Sequence, residues 1–313
     1  MITNSKNKIA VIDIGSNSLR LMTAERTANG KTTFSPKTVR TTRLAEDFLP
    51  DKTLKQPALE RSFSVLSEFS QTAGALGLPV FAYATNAVRD ALNRTVFIER
   101  AEKDFGIPVS VLSGEEEASL ARLGAGLSHE DGMIDIGGGS FQISAGSFRK
   151  SFPLGCVKIR GLCGEEEESL ALLSRLLPET VDALIGDTSL PQAGYWTAVG
   201  GTATHVACML SALDAAYSSN TVKNAVCTPE ALDGLLRDIE AIPLESRRSL
   251  PLLSKRADLI LGGGALLLLL MEKLGISTLR FSDADGLEGY ALYLLDHPER
   301  MAELFVSKKA YPV

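Results

Sequence analysis

The sequence is poor in residues that hold metals or link chains. Its 313 residues include four cysteines, Cys156, Cys163, Cys208 and Cys227, with no C-x-x-C pair, and three histidines, His129, His205 and His297, scattered singly. That spacing argues against a structural zinc site. No apolar run approaches the roughly 20 residues of a membrane span. The longest leucine run, residues 266–270 inside "GGGALLLLLMEKLG", reads as part of a buried helix. The opening stretch "MITNSKNKIAVIDIG" lacks a long apolar segment and a small-residue cleavage site, so the expectation is a soluble, cytoplasmic chain with reduced thiols. The sequon at residues 93–95 is then incidental. Excess positive charge is missing as well. A formal net charge of −6 gives no general attraction for nucleic acid or an anionic membrane, so neither is an expected partner. No G-x-S-x-G, H-E-x-x-H or protein-kinase signature occurs.

What is present is enough apolar material for a large core. With 45% hydrophobic and 22% charged residues over this length, two compact domains are expected. The chain opens with the dense apolar strand "KIAVIDIG", returns as "LRLMTAE", and turns at Asn29-Gly30, a strong hairpin signal. Helical and strand patterns then alternate through "PALERSFSVLSEFSQTAGALG", "VFAYAT", "DALNRTVFIERAEKDFG", "VSVL" and "GEEEASLARLGAGL". Such alternation means a mixed α/β domain. At Met133 the opening pattern repeats: "IDIGSNS" at residues 12–18 and "IDIGGGS" at 134–140 share Ile, Asp, Ile, Gly and Ser in register, and each is followed by an apolar return strand. This is the mark of a duplicated unit. The expected boundary lies near residues 124–131, giving domains 1–125 and 126–313, with a C-terminal helix over about 286–305 that could pack back on the first. A helix is also expected from Glu165 to about Leu177, another at Pro229–Ile242, and a glycine-led one from Gly262 to Leu274.

A strand ending in Gly137-Gly138-Gly139-Ser140 presents successive backbone N–H groups with no side chains in the way, and such a concavity suits phosphate oxygens. An Asp at the preceding strand end can hold a hydrated magnesium ion that bridges to that phosphate. Two matching loops, each with an Asp two residues before the first Gly, favour phosphate over a plain hairpin. "VGGTATHVA", with Gly201 and Thr202, reads equally as a third phosphate contact or as a capped strand-to-helix turn. "GKT" at residues 30–32 is a hairpin tip, because position 25 is Glu25 where a Walker A loop requires Gly. "LSGEEEASLARL" and "LCGEEEESLALL" share one pattern, glutamates at a helix start. Glutamates there favour the helix dipole and need no other role, so pattern alone does not say which, if any, is catalytic. Arg89, at a helix start after an apolar strand, can fork onto phosphate or simply pair with Asp90.

In order along the chain, "VIDIGSNSLRL", "VRTTRLAE", "ATNAVRDALN", "LSGEEEASL", "MIDIGGGSFQI", "FPLGCVKI", "VGGTATHVA" and "FSDADGLEGY" resemble the exopolyphosphatase and guanosine pentaphosphate phosphatase family, Ppx/GppA, of the actin-like ATPase superfamily. The resemblance covers most of the chain. It implies two ribonuclease-H-like α/β domains with an interdomain cleft, in the short form that lacks the further helical domain of longer members. It also implies a hydrolase removing terminal orthophosphate from inorganic polyphosphate with Mg2+. The alternatives are a guanosine pentaphosphate phosphohydrolase or a non-catalytic sensor of polyphosphate or guanosine alarmones, and homodimers are frequent among such proteins. By resemblance Glu117 is the base for the attacking water, Asp135 a magnesium-associated catalytic carboxylate and Asp13 its partner in the first loop. Ser16, Asn17, Ser18, Arg89, Gly137, Gly138, Gly139 and Ser140 would cradle the terminal phosphates, with Gly201 and Thr202 beside them. Arg20, Arg40 and Arg43 are candidates to hold the polyphosphate farther along. One departure stands out: where many members read Gly-Gly-Gly-Ser-Thr-Glu, this chain has Ser140, Phe141 and Gln142. An amide can neither act as a base nor neutralise a cation.

Overall fold

The computed structural model describes residues 7–48, 51–164, 166 and 168–306. They form two compact units, one taking the residues up to Gly124 and those from Gly286 onward, the other Ala125–Asp285.

In the first unit the order is β1 (Lys8–Ile14), β2 (Ser18–Arg26), β3 (Thr32–Phe34), β4 (Thr38–Thr41), α1 (Gln56–Ala75), β5 (Val80–Ala84), α2 (Asn86–Asp90), α3 (Arg94–Phe105), β6 (Val109–Val111) and α4 (Gly114–Ala125). The sheet order is β3-β2-β1-β5-β6, with β4 also paired to β2. Strands β1 and β2 are antiparallel, while β5 and β6 run parallel to β1 and to each other. Strand β1 is apolar without alternation because both its faces are covered. Ala10, Ile12 and Ile14 pack towards α1 and α3 with Leu59, Phe63, Leu66 and Phe97, while Ile9 and Val11 pack on the opposite face.

The second unit contains β7 (Gly132–Ile136), β8 (Phe141–Ala145), β9 (Phe148–Phe152), α5 (Cys156–Leu162), α6 (Leu170–Ile185), β10 (Trp196–Val199), α7 (Gly200–Met209), α8 (Ser219–Asn224), β11 (Val226–Cys227), α9 (Pro229–Glu240), α10 (Leu244–Arg247), α11 (Ile260–Lys273) and β12 (Leu279–Phe281). Its sheet order is β11-β12-β10-β7-β8-β9. With β7 in the place of β1, the sequence β9-β8-β7-β10-β12 repeats the topology of the first sheet. Both units are therefore ribonuclease-H-like. The apolar faces of α6, α9 and α11 meet over this sheet, with Leu173, Leu177, Leu236, Leu266 and Leu270 fully or nearly buried.

The C-terminal helix lies with the first unit: in α12 (Gly286–Asp296) Leu287, Tyr290, Ala291, Leu294 and Leu295 cover the face of β1 that Ile9 and Val11 present. Burying each large apolar side chain contributes about 1.5–3 kcal/mol, so that face is costly to leave bare. The helix also stops at Asp296 and restarts as α13 (Pro298–Val306). Pro298 lacks the N–H that would continue the ladder. The helix expected from Glu165 starts instead at Leu170, where the Ser169 hydroxyl accepts from the Leu172 N–H. Glu165 and Glu167 lie outside the described residues. Among the described residues no helix is long and apolar enough to cross a membrane.

Candidate active site

The first loop joins β1 to β2. Its hairpin closes through the Gly15 N–H, which donates to the Ser18 carbonyl, and the second loop closes the same way from Gly137 to Ser140. In both, two further carbonyls are held from outside. The Asn17 carbonyl accepts from the N–H groups of Thr42 and Arg43, and the Ser16 carbonyl from Ala45. The Gly137 and Gly138 carbonyls accept from Cys156 and Val157 at the start of α5. Tying the carbonyls down leaves the N–H groups as what each loop can offer, which is the arrangement an anion requires. Among the described residues, no backbone acceptor takes the N–H of Gly138 or Gly139.

Buried polar atoms point to the same two places. Five buried side-chain oxygens have no hydrogen-bond partner among the described residues: Ser16 Oγ, Asn17 Oδ1, Thr42 Oγ1, Gln142 Oε1 and Glu168 Oε1. Four of them belong to the two loops or to residues bonded to them. An orphaned buried oxygen costs about 1–3 kcal/mol; the Ser16 and Thr42 hydroxyls can give a hydrogen to a bound anion, whereas the amide oxygens of Asn17 and Gln142 can only accept. Thr42 lies in "VRTTRLAE", but that motif does not single it out. It enters because the turn segment after β4 wraps the first loop.

Around the first loop the charged residues are clustered. Asp13 and Arg20 are cross-strand neighbours on β1 and β2, and Arg20 gives Nε and Nη2 to Asp13 Oδ2 at 2.8 and 2.5 Å. Arg89 on α2 donates from Nη1 to the Leu112 carbonyl at 2.9 Å and to Glu117 Oε2 at 3.3 Å, while its Nε lies 3.4 Å from Asp90. Arg89 thus pairs with Asp90 and at the same time reaches the loop side of the site. Glu117 occupies the first turn of α4. Burial pushes its carboxyl up to about 7, with Arg89 pulling it down and Asp13 pushing it further up. A carboxylate with that affinity for a proton is suited to take one from water near neutral pH. Arg40 is engaged elsewhere, paired with Glu68 on α1, whereas Arg43 sits against the loop with φ at 48°.

Around the second loop the equivalent register pair is Asp135 and Gln142. Asp135 lies against the start of α7, where Gly200 has φ at 83° and a Cβ would overlap the carboxylate. Only glycine fits there, and the anion gains from the helix end. Thr202 turns its hydroxyl to the Ile136 carbonyl, tying α7 to the strand that carries the loop. Arg256 lies beside Gly201, close enough that a Cβ there would meet its Nη2 at 2.5 Å. His205 gives no second base. Its Nδ1 is 2.6 Å from the Gly201 carbonyl, and burial with the Arg256 charge holds it down at about 3. Nothing local in "KRADLIL" marks Arg256; helix packing delivers it.

The second glutamate cluster resolves differently from the first. Glu168 is also pushed up to about 7 by burial, but its Oε2 accepts the Gly262 N–H at 3.0 Å in the first turn of α11. It serves as a cap supplied by a distant segment. Proton affinity alone does not distinguish the two glutamates. Their hydrogen bonds do, because Glu168 accepts from a helix-start N–H while Glu117 accepts from Arg89, with Asp13 of the first loop also acting on it.

Among the described residues no three His, Cys, Asp or Glu side chains gather into a metal cage. Across the strand pairs, Asp13 has Arg20 and Asp135 has Gln142 as register partner. The residues fit magnesium only in its common hydrated mode, with a single carboxylate, Asp135, and the remaining ligands from water and substrate phosphates.

Two ribonuclease-H-like units with matching donor loops and an arginine-bound glutamate define a phosphate-handling enzyme. The Ppx/GppA phosphatase family matches residues 25–297, and the chain belongs to that family of hydrolases. Exopolyphosphatase 2 of Mycobacterium tuberculosis is 28% identical over 92% of this chain and 98% of its own length. The Aquifex aeolicus Ppx/GppA enzyme is 26% identical, covers 92% of this chain and 99% of its own, and superimposes with a TM-score of 0.74. An exopolyphosphatase from Cytophaga hutchinsonii, at 20% identity, shares the fold with a TM-score of 0.82 over 92% of this chain and 98% of its own.

Proposed function

We propose that the chain is an exopolyphosphatase that hydrolyses the terminal orthophosphate of inorganic polyphosphate in the cytoplasm. The observation that carries this reading is the set of donors without an acceptor among the described residues at the two loops, the Ser16 and Thr42 hydroxyls at the first and the Gly138 and Gly139 N–H groups at the second, with carbonyls tied back beside them. Such loops suit a ligand rich in oxygen acceptors and negative charge. A related protein of nearly equal length is named for the same substrate.

In this reading Glu117, ionised, takes a proton from the attacking water. Arg89 holds that carboxylate in place and offers its guanidinium to the phosphoryl group. Ser16, Asn17 and Ser18 of the first loop, with Thr42 beside it, would hold phosphate oxygens, and Gly138, Gly139 and Ser140 would do so at the second loop. Positioning and fixed dipoles then supply most of the rate, as phosphoryl transfer requires. Magnesium held by Asp135 and the substrate would neutralise charge on the phosphates.

The test is orthophosphate release from long-chain polyphosphate, guanosine pentaphosphate and ATP, for wild type and Glu117→Gln. Polyphosphate is expected to be the best substrate, with kcat falling about 10²–10⁴-fold in the variant, the usual share of a general base. Preference for guanosine pentaphosphate would move the substrate assignment, and binding without turnover would make the protein a sensor. Unchanged release by Glu117→Gln would remove Glu117 as the base.

A further inference from the structure

The side chain at position 142 touches the phosphate loop from behind. Gln142 is 1% exposed and Ser140 2% exposed. The Gln142 Nε2 donates to Ser140 Oγ at 3.0 Å and to Ser151 Oγ at 3.2 Å across the β8–β9 pair. Its Oε1 has no partner among the described residues. The opposite orientation would strand a two-donor NH2 group in the interior rather than one carbonyl oxygen, the costlier arrangement. With an N–H filling one lone pair of Ser140 Oγ, the Ser140 hydrogen remains to be given away, and no acceptor among the described residues takes it.

A carboxylate at 142 would reverse this. It can only accept, so it would draw in the Ser140 hydrogen and leave the hydroxyl presenting lone pairs. It would also place a second negative charge directly across from Asp135, since residues 135 and 142 are register partners. Like charges at that separation repel unless a cation lies with them. The first unit avoids the same conflict in its own way, with Arg20 opposite Asp13.

We infer that the second loop of this chain grips phosphate directly, through the N–H groups of Gly138 and Gly139 and the O–H of Ser140, without needing a divalent cation, and that Gln142 is the positioning residue that sets this polarity. The inference rests on the proposed reading of the loop as a phosphate site. It makes the grip independent of metal while leaving any metal requirement of turnover untouched.

Calorimetric titration with inorganic tripolyphosphate tests it, in excess chelator and again with magnesium, together with titration of magnesium alone. Wild type is expected to bind with affinities within about 3-fold of each other in the two conditions. Gln142→Glu should lose about 10-fold or more in chelator, about 1.4 kcal/mol, regain it with magnesium, and bind magnesium itself more tightly. Ser140→Ala should lose about 10-fold in both conditions, and it decides the matter together with the wild-type ratio should Gln142→Glu fail to fold. Wild-type binding that requires magnesium, or Gln142→Glu binding equally well in chelator, would overturn the inference. No tripolyphosphate binding in either condition would overturn the phosphate reading along with it. Binding in both conditions with no hydrolysis of any substrate would leave this inference standing and defeat only the hydrolase.

Discussion

Glu168→Gln should make the protein more stable, and only above mildly acidic pH. Glu168 is almost fully buried, its Oε2 caps α11 through the Gly262 N–H, and its Oε1 has no partner among the described residues. Burial lifts its proton affinity from 4.5 to about 7, against the pull of that cap and of Arg160. A lift of this size corresponds to about 3 kcal/mol of preference for the neutral form. The folded chain holds this proton more tightly than the unfolded chain. Its stabilising effect is therefore complete below about pH 4.5 and is lost as pH rises through about 7. An amide in the same place would keep an acceptor for the Gly262 N–H and carry no charge to bury, and its NH2 would stand where the protonated acid has its O–H, so the two neutral forms are close in cost. Urea unfolding of both proteins, followed from pH 4.5 to 8.5, should give similar stabilities at the acid end and a gap opening to as much as about 3 kcal/mol in favour of the variant at the alkaline end. A constant gap, or a variant less stable at pH 8, would refute the argument. Either result would mean that the ionised carboxylate is stabilised in the fold by more than the contacts described.

Two further outcomes follow from the first unit. Removing Arg89 takes away the main group pulling the Glu117 proton affinity down, so Arg89→Ala should move the acid limb of the kcat/KM pH profile upward and lower kcat about 10²-fold. An unmoved limb would mean that Glu117 does not titrate in turnover. Gly289 on α12 packs so closely on α4 that a Cβ would overlap the Leu120 carbonyl, one turn from Glu117. Gly289→Ala should cost about 1–3 kcal/mol of stability and reduce kcat more than it raises KM. Calorimetry and steady-state kinetics on the same preparation check both.

The local half of the site was legible in the sequence. Repeated "IDIG" strands announced both loops and the duplication, because a hairpin closed within a few residues is specified by its own residues. The strand pairs that place Arg20 opposite Asp13 and Gln142 opposite Asp135 follow from those turns. What escaped was everything delivered from a distance. Thr42 reaches the first loop because the chain folds back after β4, and Arg256 reaches Gly201 through helix packing. Two glutamate clusters of the same local pattern sit in unlike surroundings, Glu117 accepting from Arg89 and Glu168 from the Gly262 N–H at the start of α11. The last helix, which could pack back on the first unit, is placed by the same kind of distant contact. Its apolar stripe says that it must be covered, but the uncovered face of β1 lies nearly the whole chain away.

That final assignment sets the order in which the protein can be made. The second unit is one unbroken stretch and can complete its core as soon as it leaves the ribosome. The first unit, although synthesised earlier, waits with Ile9, Val11, Phe81 and Tyr83 exposed on one face until α12 emerges much later in the chain. The usual N-terminal-first order of folding during synthesis is therefore not open to the complete first unit, and the face of β1 opposite α1 is the part that a chain truncated before α12 would leave uncovered.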